Sequence, residues 1–260
     1  MSYSLNLMLL AVALFFGMLL LLEAGRRIGV RHAARHADKM ATGFGAVDGA
    51  VFGLMGLLIA FTFSGAASRF DARRQLIVEE TNDIGTAYLR LDLLPASTQP
   101  GLRESFRRYV DSRLETYRKL PDIAAATAEL ANSTRLQREI WTQAVAACRA
   151  AESPATTTLF LSALNTMIDI TTTRTMTTQM HPPTSIFVML FVLSLASALL
   201  AGYGMAASRV RSWVHMVGFA AVLAVAVYVI LDIEFPRLGL IRVQAFDQAL
   251  VELRESMNEP

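Results

Sequence analysis

Charged residues are scarce in this chain. Asp, Glu, Lys and Arg make up 18% of its 260 residues and hydrophobic residues 53%, whereas a soluble domain usually carries about a quarter charged residues. Four stretches contain no charged residue at all: 1–22, 49–68, 182–208 and 212–231. Each has the ~18–20 residues that a helix needs to cross the hydrocarbon of a bilayer. The chain is therefore predicted to be a multi-pass membrane protein, and a soluble enzyme is excluded.

Features of other protein classes are missing as well. The net charge of +2 is too small to indicate nucleic acid as a partner, and a single cysteine, Cys148, excludes an intrachain disulfide. The sequence shows no phosphate-binding loop, no Ser-His-Asp set and no pair of catalytic carboxylates. His32 and His36 have the spacing of a helical metal pair, but no third ligand accompanies them. We therefore predict no enzymatic activity, no metal site and no cofactor.

The apolar stretches come in two pairs. The first stretch lacks the basic lead of a signal peptide and is predicted to be a retained helix. A basic loop is predicted to follow it, with Arg26, Arg27, Arg31, Arg35 and Lys39. The predicted segments are a first transmembrane hairpin (1–67), a soluble insert (68–184), a second transmembrane hairpin (185–231) and a polar C-terminal tail (232–260).

The insert is predicted to be helical. It contains only two glycines, and its prolines separate stretches whose apolar residues recur at helical spacing. The predicted helices are 69–93, 102–120, 123–151 and 157–180. Because no glycine or proline lies between Gly65 and Gly85, the second transmembrane span should continue unbroken into the first of them. The predicted fold class is all-α integral membrane, with four transmembrane helices in two hairpins and a helical soluble insert.

Small residues follow one side of the second span at helical spacing. They are Gly49, Gly53, Gly56, Ala60 and Ser64. Such a stripe indicates either close packing against another helix or a face that lines an aqueous path. Gly53, Leu57 and Phe61 form a row on the same general side. In a ring of identical subunits, this row would make stacked apolar rings, which can gate a pore by dewetting.

Charged residues stand at both ends of this span. Asp48 precedes it, where a carboxylate either favours the positive end of the helix dipole or forms a ring at a pore entrance. Arg69, Arg73 and Arg74 follow it. Such arginines either bind lipid headgroups or, at the mouth of a pore, enrich anions. Both alternatives stay open at each end.

The residues at the end of the second span resemble those of the bestrophin ion channels. Bestrophins carry a Phe there, an Ala five residues later, an Arg followed by an aromatic residue, and a further Arg. In this chain they are Phe61, Ala66, Arg69-Phe70 and Arg74. Two membrane hairpins around a helical insert are also the layout of that family. As a whole, the sequence is similar to bacterial bestrophin-like membrane proteins.

The stretch after the fourth span extends the resemblance. Glu234, Pro236 and Gly239 are similar to the Glu-x-Pro-x-Gly stretch that follows the last bestrophin span, with the glycine one residue later. The chain departs from the family pattern at Thr62 and Ser64, where bacterial bestrophins carry an Arg and an Asn. These departures affect the expected conductance and ion preference more than the expected fold.

The resemblance implies a homopentamer in the bilayer that passes small inorganic ions through a pore lined by the second span of each subunit. It places Gly53, Leu57 and Phe61 at the neck of that pore, with only the last two narrowing it. It also implies that the insert and the termini face the cytoplasm of a bacterial inner membrane. The Lys/Arg bias points the other way, with seven residues on the loop side against six on the insert side. We expect the family topology because this difference is small.

The sequence therefore predicts an ion channel. The three arginines after the second span favour anions such as chloride, whereas Asp48 at the other end favours cations. A membrane-anchored sensor or interaction module with a helical-bundle domain is the alternative hypothesis. A non-conducting relative of the channel fold is a third.

Overall fold

The computed structural model describes residues 3–35, 44–151, 153–207, 212–241 and 243–258, and within these ranges every regular element is a helix. The helices are α1 (Tyr3–Arg35), α2 (Phe44–Leu89), α3 (Gln99–Arg118), α4 (Ile123–Arg149), α5 (Pro154–Gln179), α6 (Thr184–Gly204), α7 (Trp213–Glu234) and α8 (Gln248–Ser256). Single 3₁₀ turns span Arg90–Leu93, Met205–Ala207 and Gln244–Asp247. The predicted all-α class is confirmed.

Four helical stretches are long and apolar enough to cross a membrane, as predicted. They are Tyr3–Ala34, Gly45–Leu93, Pro154–Gly204 and Trp213–Glu234. Their arrangement as two hairpins stays a prediction. Of the segments that join them, residues 36–43 and 208–211, with Arg209 and Arg211, lie outside the described residues.

The first helix is longer than predicted. The loop expected from its arginines is helical as far as Arg35, and only Lys39 lies outside the described residues. Within this part of α1, the Arg27 guanidinium binds the Glu23 carboxylate at 2.7 Å, an i, i+4 pair that supports a helix. The charges therefore mark the end of the apolar span, not the end of the helix.

The second helix is unbroken over 46 residues, which confirms the continuity predicted from the lack of glycine and proline. The chain divides into two compact units, and α2 belongs to both. The membrane unit comprises Met1–Arg69 and His181–Ile241, and the insert unit comprises Phe70–Met180 and Arg242–Pro260.

Glycines allow two helices of the membrane unit to approach closely. A Cβ atom added at Gly25 of α1 would lie 2.0 Å from the carbonyl oxygen of Leu199 in α6. A Cβ atom added at Gly202 of α6 would lie 2.0 Å from the carbonyl oxygen of Leu22 in α1. Helix α1 also packs against α7. The backbones of α1 and α6 thus touch where neither residue has a side chain.

The insert unit has its own apolar core, made by α3, α4, α5, α8 and the end of α2. Its most buried large side chains are Ile84, Leu91, Leu102, Phe106, Tyr109, Leu136, Ile140 and Phe160. Polar groups cross this core in satisfied pairs, since the Tyr109 hydroxyl contacts Thr171 Oγ1 at 2.9 Å and the Gln137 amide donates to both. The C-terminal segment joins the core through the buried Leu250.

A buried ion cluster also holds the insert unit together. Glu80, on the part of α2 beyond the apolar span, is fully buried and accepts hydrogen bonds from Arg113 of α3 and Arg174 of α5. The Arg174 guanidinium lies 3.9 Å from the centre of the Tyr117 ring and contacts Asp247 at 3.3 Å. Burial alone would raise the pKa of Glu80, but the two arginines outweigh it and lower that pKa to about 2. The carboxylate therefore stays ionised at all physiological pH values.

Candidate functional site

The apolar part of α2 is the least covered of the four candidate spans. In the most apolar 18 residues of this span, only 11% of the residues are buried, whereas the corresponding fractions in the other three spans are 22%, 28% and 39%. One side packs inside the membrane unit, where Met55 and Ala66 are buried and the Phe52 ring lies 6.3 Å from that of Phe219. The opposite side has no partner helix within the described part of the chain.

The row of Gly53, Leu57 and Phe61, predicted from the sequence to face a pore, lies on this open side. Gly53 is exposed, as are the Leu57 side chain (51%) and the Phe61 side chain (67%). At 100° per residue, the row is centred roughly opposite Met55 and Ala66. These three residues are therefore available to a partner, to water or to lipid.

The glycines of α2 face open space. A Cβ atom added at Gly45, Gly49, Gly53 or Gly56 would meet no atom within 4 Å. The interpretation of these glycines as close-packing residues therefore finds no contact inside the described chain. Close packing between helices occurs instead at Gly25 and Gly202.

Asp48 lies near the end of α6. It is half-buried, its Oδ2 atom would lie 3.9 Å from a Cβ atom at Gly204, and it forms no ion pair among the described residues. Its position in the second turn of α2 is on the positive side of the helix dipole. Both predicted roles of Asp48 stay predictions.

Arg69 binds an acidic residue at the end of α7. Its guanidinium donates from Nε to Glu234 Oε1 at 3.0 Å and from Nη2 to Oε2 at 2.7 Å. Glu234 is fully buried, and its Oε1 atom also contacts His181 Nδ1 at 3.0 Å. The His181 ring stacks on Phe235 with 4.5 Å between centroids. We call Arg69, Glu234 and His181 the α2–α7 triad.

The other two predicted arginines also contact their own chain. Arg73 is buried and donates to the carbonyl oxygen of Met180 at 3.1 Å. Arg74 binds Asp71 at 2.9 Å, and its guanidinium lies 4.2 Å from the centre of the Phe246 ring. The sequence predicted these three arginines as one group at a pore mouth. The structure gives each of them a protein partner, which reduces the charge they could offer to an ion.

The two acidic residues at the end of α7, Asp232 and Glu234, have different partners. Asp232 is fully buried, and its carboxylate accepts from the backbone N–H groups of Leu240 and Ile241 at 2.7–3.0 Å and from the Tyr228 hydroxyl at 3.2 Å. A Cβ atom at Gly239 would lie 2.3 Å from its Oδ1 atom. Asp232 therefore fixes the turn after α7, while Glu234 binds side chains. The sequence signal that could have identified them was the presence of two acidic residues directly at the end of an apolar span.

The histidine pair has no metal-site geometry in the described part of the chain. His32 Nδ1 contacts the Tyr203 hydroxyl at 2.8 Å, and His36 lies outside the described residues. Among the residues that the structure describes, no group of three His, Cys, Asp or Glu side chains could hold a metal ion.

The chain matches a model of one protein family, and solved structures of one bacterial protein share its fold. A family model described as Bestrophin-like domain matches residues 10–246. Crystal structures of a bacterial bestrophin homologue from Klebsiella pneumoniae have the same fold at low sequence identity. One variant has 14% identity, covers 92% of this chain and 98% of that chain, and gives a TM-score of 0.66. A second variant has 13% identity, coverages of 94% and 99%, and a TM-score of 0.69.

A third structure of that homologue, solved by zinc phasing, has 14% identity, covers 94% of this chain and 98% of that chain, and gives a TM-score of 0.63. No curated protein matches the chain. The family match confirms the resemblance predicted from the residues around Arg69 and Glu234.

Proposed function

We propose that this chain, which belongs to the bestrophin-like family, forms an ion channel from several copies of itself, with a pore lined by α2 of each copy. The observation that supports this proposal is the open side of α2. Its glycines meet no neighbour, and Leu57 and Phe61 are at least half exposed. In a ring of subunits, these two side chains would form the narrow apolar rings that gate by dewetting, and Gly53 would leave the ring above them wide.

The proposal requires more than one copy of the chain. Four helices with this many Leu and Phe side chains pack solidly, so one subunit leaves no axial path for an ion. The family resemblance favours five copies. It also favours a bacterial inner membrane, with the insert and the termini in the cytoplasm. A fivefold purified particle would support this assembly, and a monomer would contradict it.

Single-channel recording of purified protein in planar bilayers tests the pore. Phe61→Ala should raise the unitary conductance or the open probability, because it removes one apolar ring. Phe63→Ala is the matched control, since Phe63 is also exposed but lies about 160° around the helix from Phe61. The absence of current under any ion gradient would overturn the proposal. So would equal effects of the two substitutions.

We also propose a preference for anions such as chloride, because Arg69, Arg73 and Arg74 place positive charge where the apolar part of α2 ends. Two of these arginines are paired with carboxylates, and Asp48 at the other end favours cations. The reversal potential in a potassium chloride gradient tests the preference. A value near the chloride equilibrium potential is expected, and a value near the potassium potential would contradict it.

The orientation of the insert separates the channel from the sensor hypothesis. Ala126 is buried, but Ala128, two residues later and on the opposite side of α4, is exposed. A Cys148→Ala, Ala128→Cys chain therefore carries one accessible thiol. If the insert is cytoplasmic, a membrane-impermeant maleimide should label it only after the cells are opened. Labelling of intact cells would favour a sensor with an outward-facing insert.

A further inference from the structure

The α2–α7 triad combines a buried carboxylate with a guanidinium and an imidazole. Glu234 is fully buried and has a bidentate contact with Arg69, so one carboxylate and one guanidinium compensate each other. His181 contacts the same carboxylate, and its side chain keeps 30% of its surface exposed. Histidine is the side chain whose ordinary titration falls between about pH 5 and 8. Solvent protons can therefore reach the third member of the triad.

The other charged groups around His181 have separate partners. On α7, Asp232 is occupied by the backbone N–H groups of Leu240 and Ile241. On α2, Arg73 donates to the carbonyl of Met180, the residue before His181.

Two further groups lie on the remaining elements. From α1, the Tyr3 ring lies 5.1 Å from Phe235, on which His181 stacks. Arg237 lies in the turn that follows α7. Lys and Arg are charged throughout this pH range. Among the described residues, His181 is the histidine that lies where the apolar part of α2 ends.

We propose that protonation of His181 controls the ion preference of the pore, an inference that rests on the proposed function. With neutral His181, the triad carries no net charge. With protonated His181, it gains one positive charge in every subunit, at the point beyond the Leu57 and Phe61 rings where the apolar part of α2 ends. Arg69 stands eight residues beyond Phe61, or about 12 Å along the helix axis. At that distance, the added charge acts on an ion through partly screened Coulomb attraction.

Reversal potentials measured at about pH 7.5 and about pH 5.5 test this proposal. In the wild type, the ratio of anion to cation permeability should rise about two-fold at the lower pH, the size expected for one screened charge per subunit. His181→Gln should abolish the change, because the amide can still donate to Glu234 but does not titrate. His215→Gln is the control, since His215 contacts Ser212 at the other end of α7, and it should retain the wild-type change.

Equal pH responses in the wild type and in His181→Gln would overturn the proposal, and so would a wild type with no response. If no current flows at any pH, the channel function itself fails. Nitrogen-15 NMR of histidine-labelled protein then decides the proton site, with His181→Gln identifying the signal. A His181 ring that titrates between about pH 5 and 8 supports the site, and a ring that keeps one protonation state overturns it.

Discussion

Two sets of glycines in the membrane unit have opposite surroundings. Gly25 and Gly202 lie where the backbones of α1 and α6 touch, and a single added carbon atom at either would lie 2.0 Å from a carbonyl oxygen. Gly49 and Gly53 of α2 meet nothing within 4 Å. Both sets look alike in sequence, because Gly25 is followed four residues later by Gly29 just as Gly49 is followed by Gly53. The same spacing therefore serves packing inside the subunit in one helix and an open face in another.

Adding a methyl group at Gly25, where the backbones of α1 and α6 touch, should have the largest effect on stability. In Gly25→Ala, the new Cβ atom meets backbone of α6, which cannot rotate away as a side chain would. We expect the membrane unit to lose about 3 kcal/mol or more, visible as a fall in the melting temperature and in the yield of detergent-purified protein. Gly49→Ala on the open face should leave both unchanged. Equal loss in the two variants would contradict the comparison.

The insert unit contains a buried ion cluster in addition to its apolar core. Glu80→Gln removes the carboxylate that Arg113 and Arg174 share, and leaves two buried guanidinium groups with less compensation. Breaking a buried pair in this way costs about 3–5 kcal/mol, so the insert unit should unfold at lower temperature or denaturant concentration. Glu79→Gln is the matched control, because Glu79 is the exposed neighbour on α2. A Glu80→Gln protein as stable as this control would show that the cluster does not hold the unit together.

Adding a side chain to a glycine on the exposed side of α2 should change conduction and leave folding intact. Gly53→Ile adds a bulky apolar side chain where the structure shows empty space. In the proposed pore it would add a third apolar ring, and we expect the unitary conductance to fall about two-fold or more. The melting temperature should stay within the range of the wild type. A large stability loss without any change in current would mean that α2 is covered by another copy at this position and does not line the pore.

The apolar stretches and the lack of breakers predicted the fold class, the four candidate spans and the unbroken α2. These features depend on local composition, which a sequence displays directly. The bestrophin-like family was predicted from a few residues around Arg69 and Glu234. Charged residues at fixed spacing beside an apolar span are uncommon, so their pattern can be recognised in a sequence. The open side of α2 also agrees with the row chosen from periodicity, although its role as a pore lining stays a prediction.

The partners of individual charges could not be predicted. Arg69 and Glu234 are 165 positions apart, and periodicity within a helix contains no information on which distant side chain it meets. The end of α1 was missed for a related reason, since arginines after an apolar run mark the membrane surface but do not stop a helix. Gly25 and Gly29 lie beside those arginines. Their spacing was the signal that a packed helix continues there.

The smallest expected effect contrasts the buried Glu80 with a carboxylate near the surface. Glu129 of α4 accepts hydrogen bonds from Lys119 at 2.6 Å, from Asn132 at 2.8 Å and from Ser112 at 2.7 Å. These bonds lower the pKa of Glu129 to about 2, below its usual 4.5. The stabilisation it provides is therefore present above about pH 4.5 and is lost as the pH falls towards 2.

Because Lys119 is more than a third exposed, solvent weakens the ion pair, and we expect the contribution to stay below about 1 kcal/mol. Acidification from about pH 5 to about pH 2.5 should lower the melting temperature of the wild type slightly more than that of Glu129→Gln. The two proteins should differ most at the higher pH and converge at the lower one. A difference that stays constant across the titration would show that Glu129 acts through packing and not through its charge, in contrast to the fully buried Glu80.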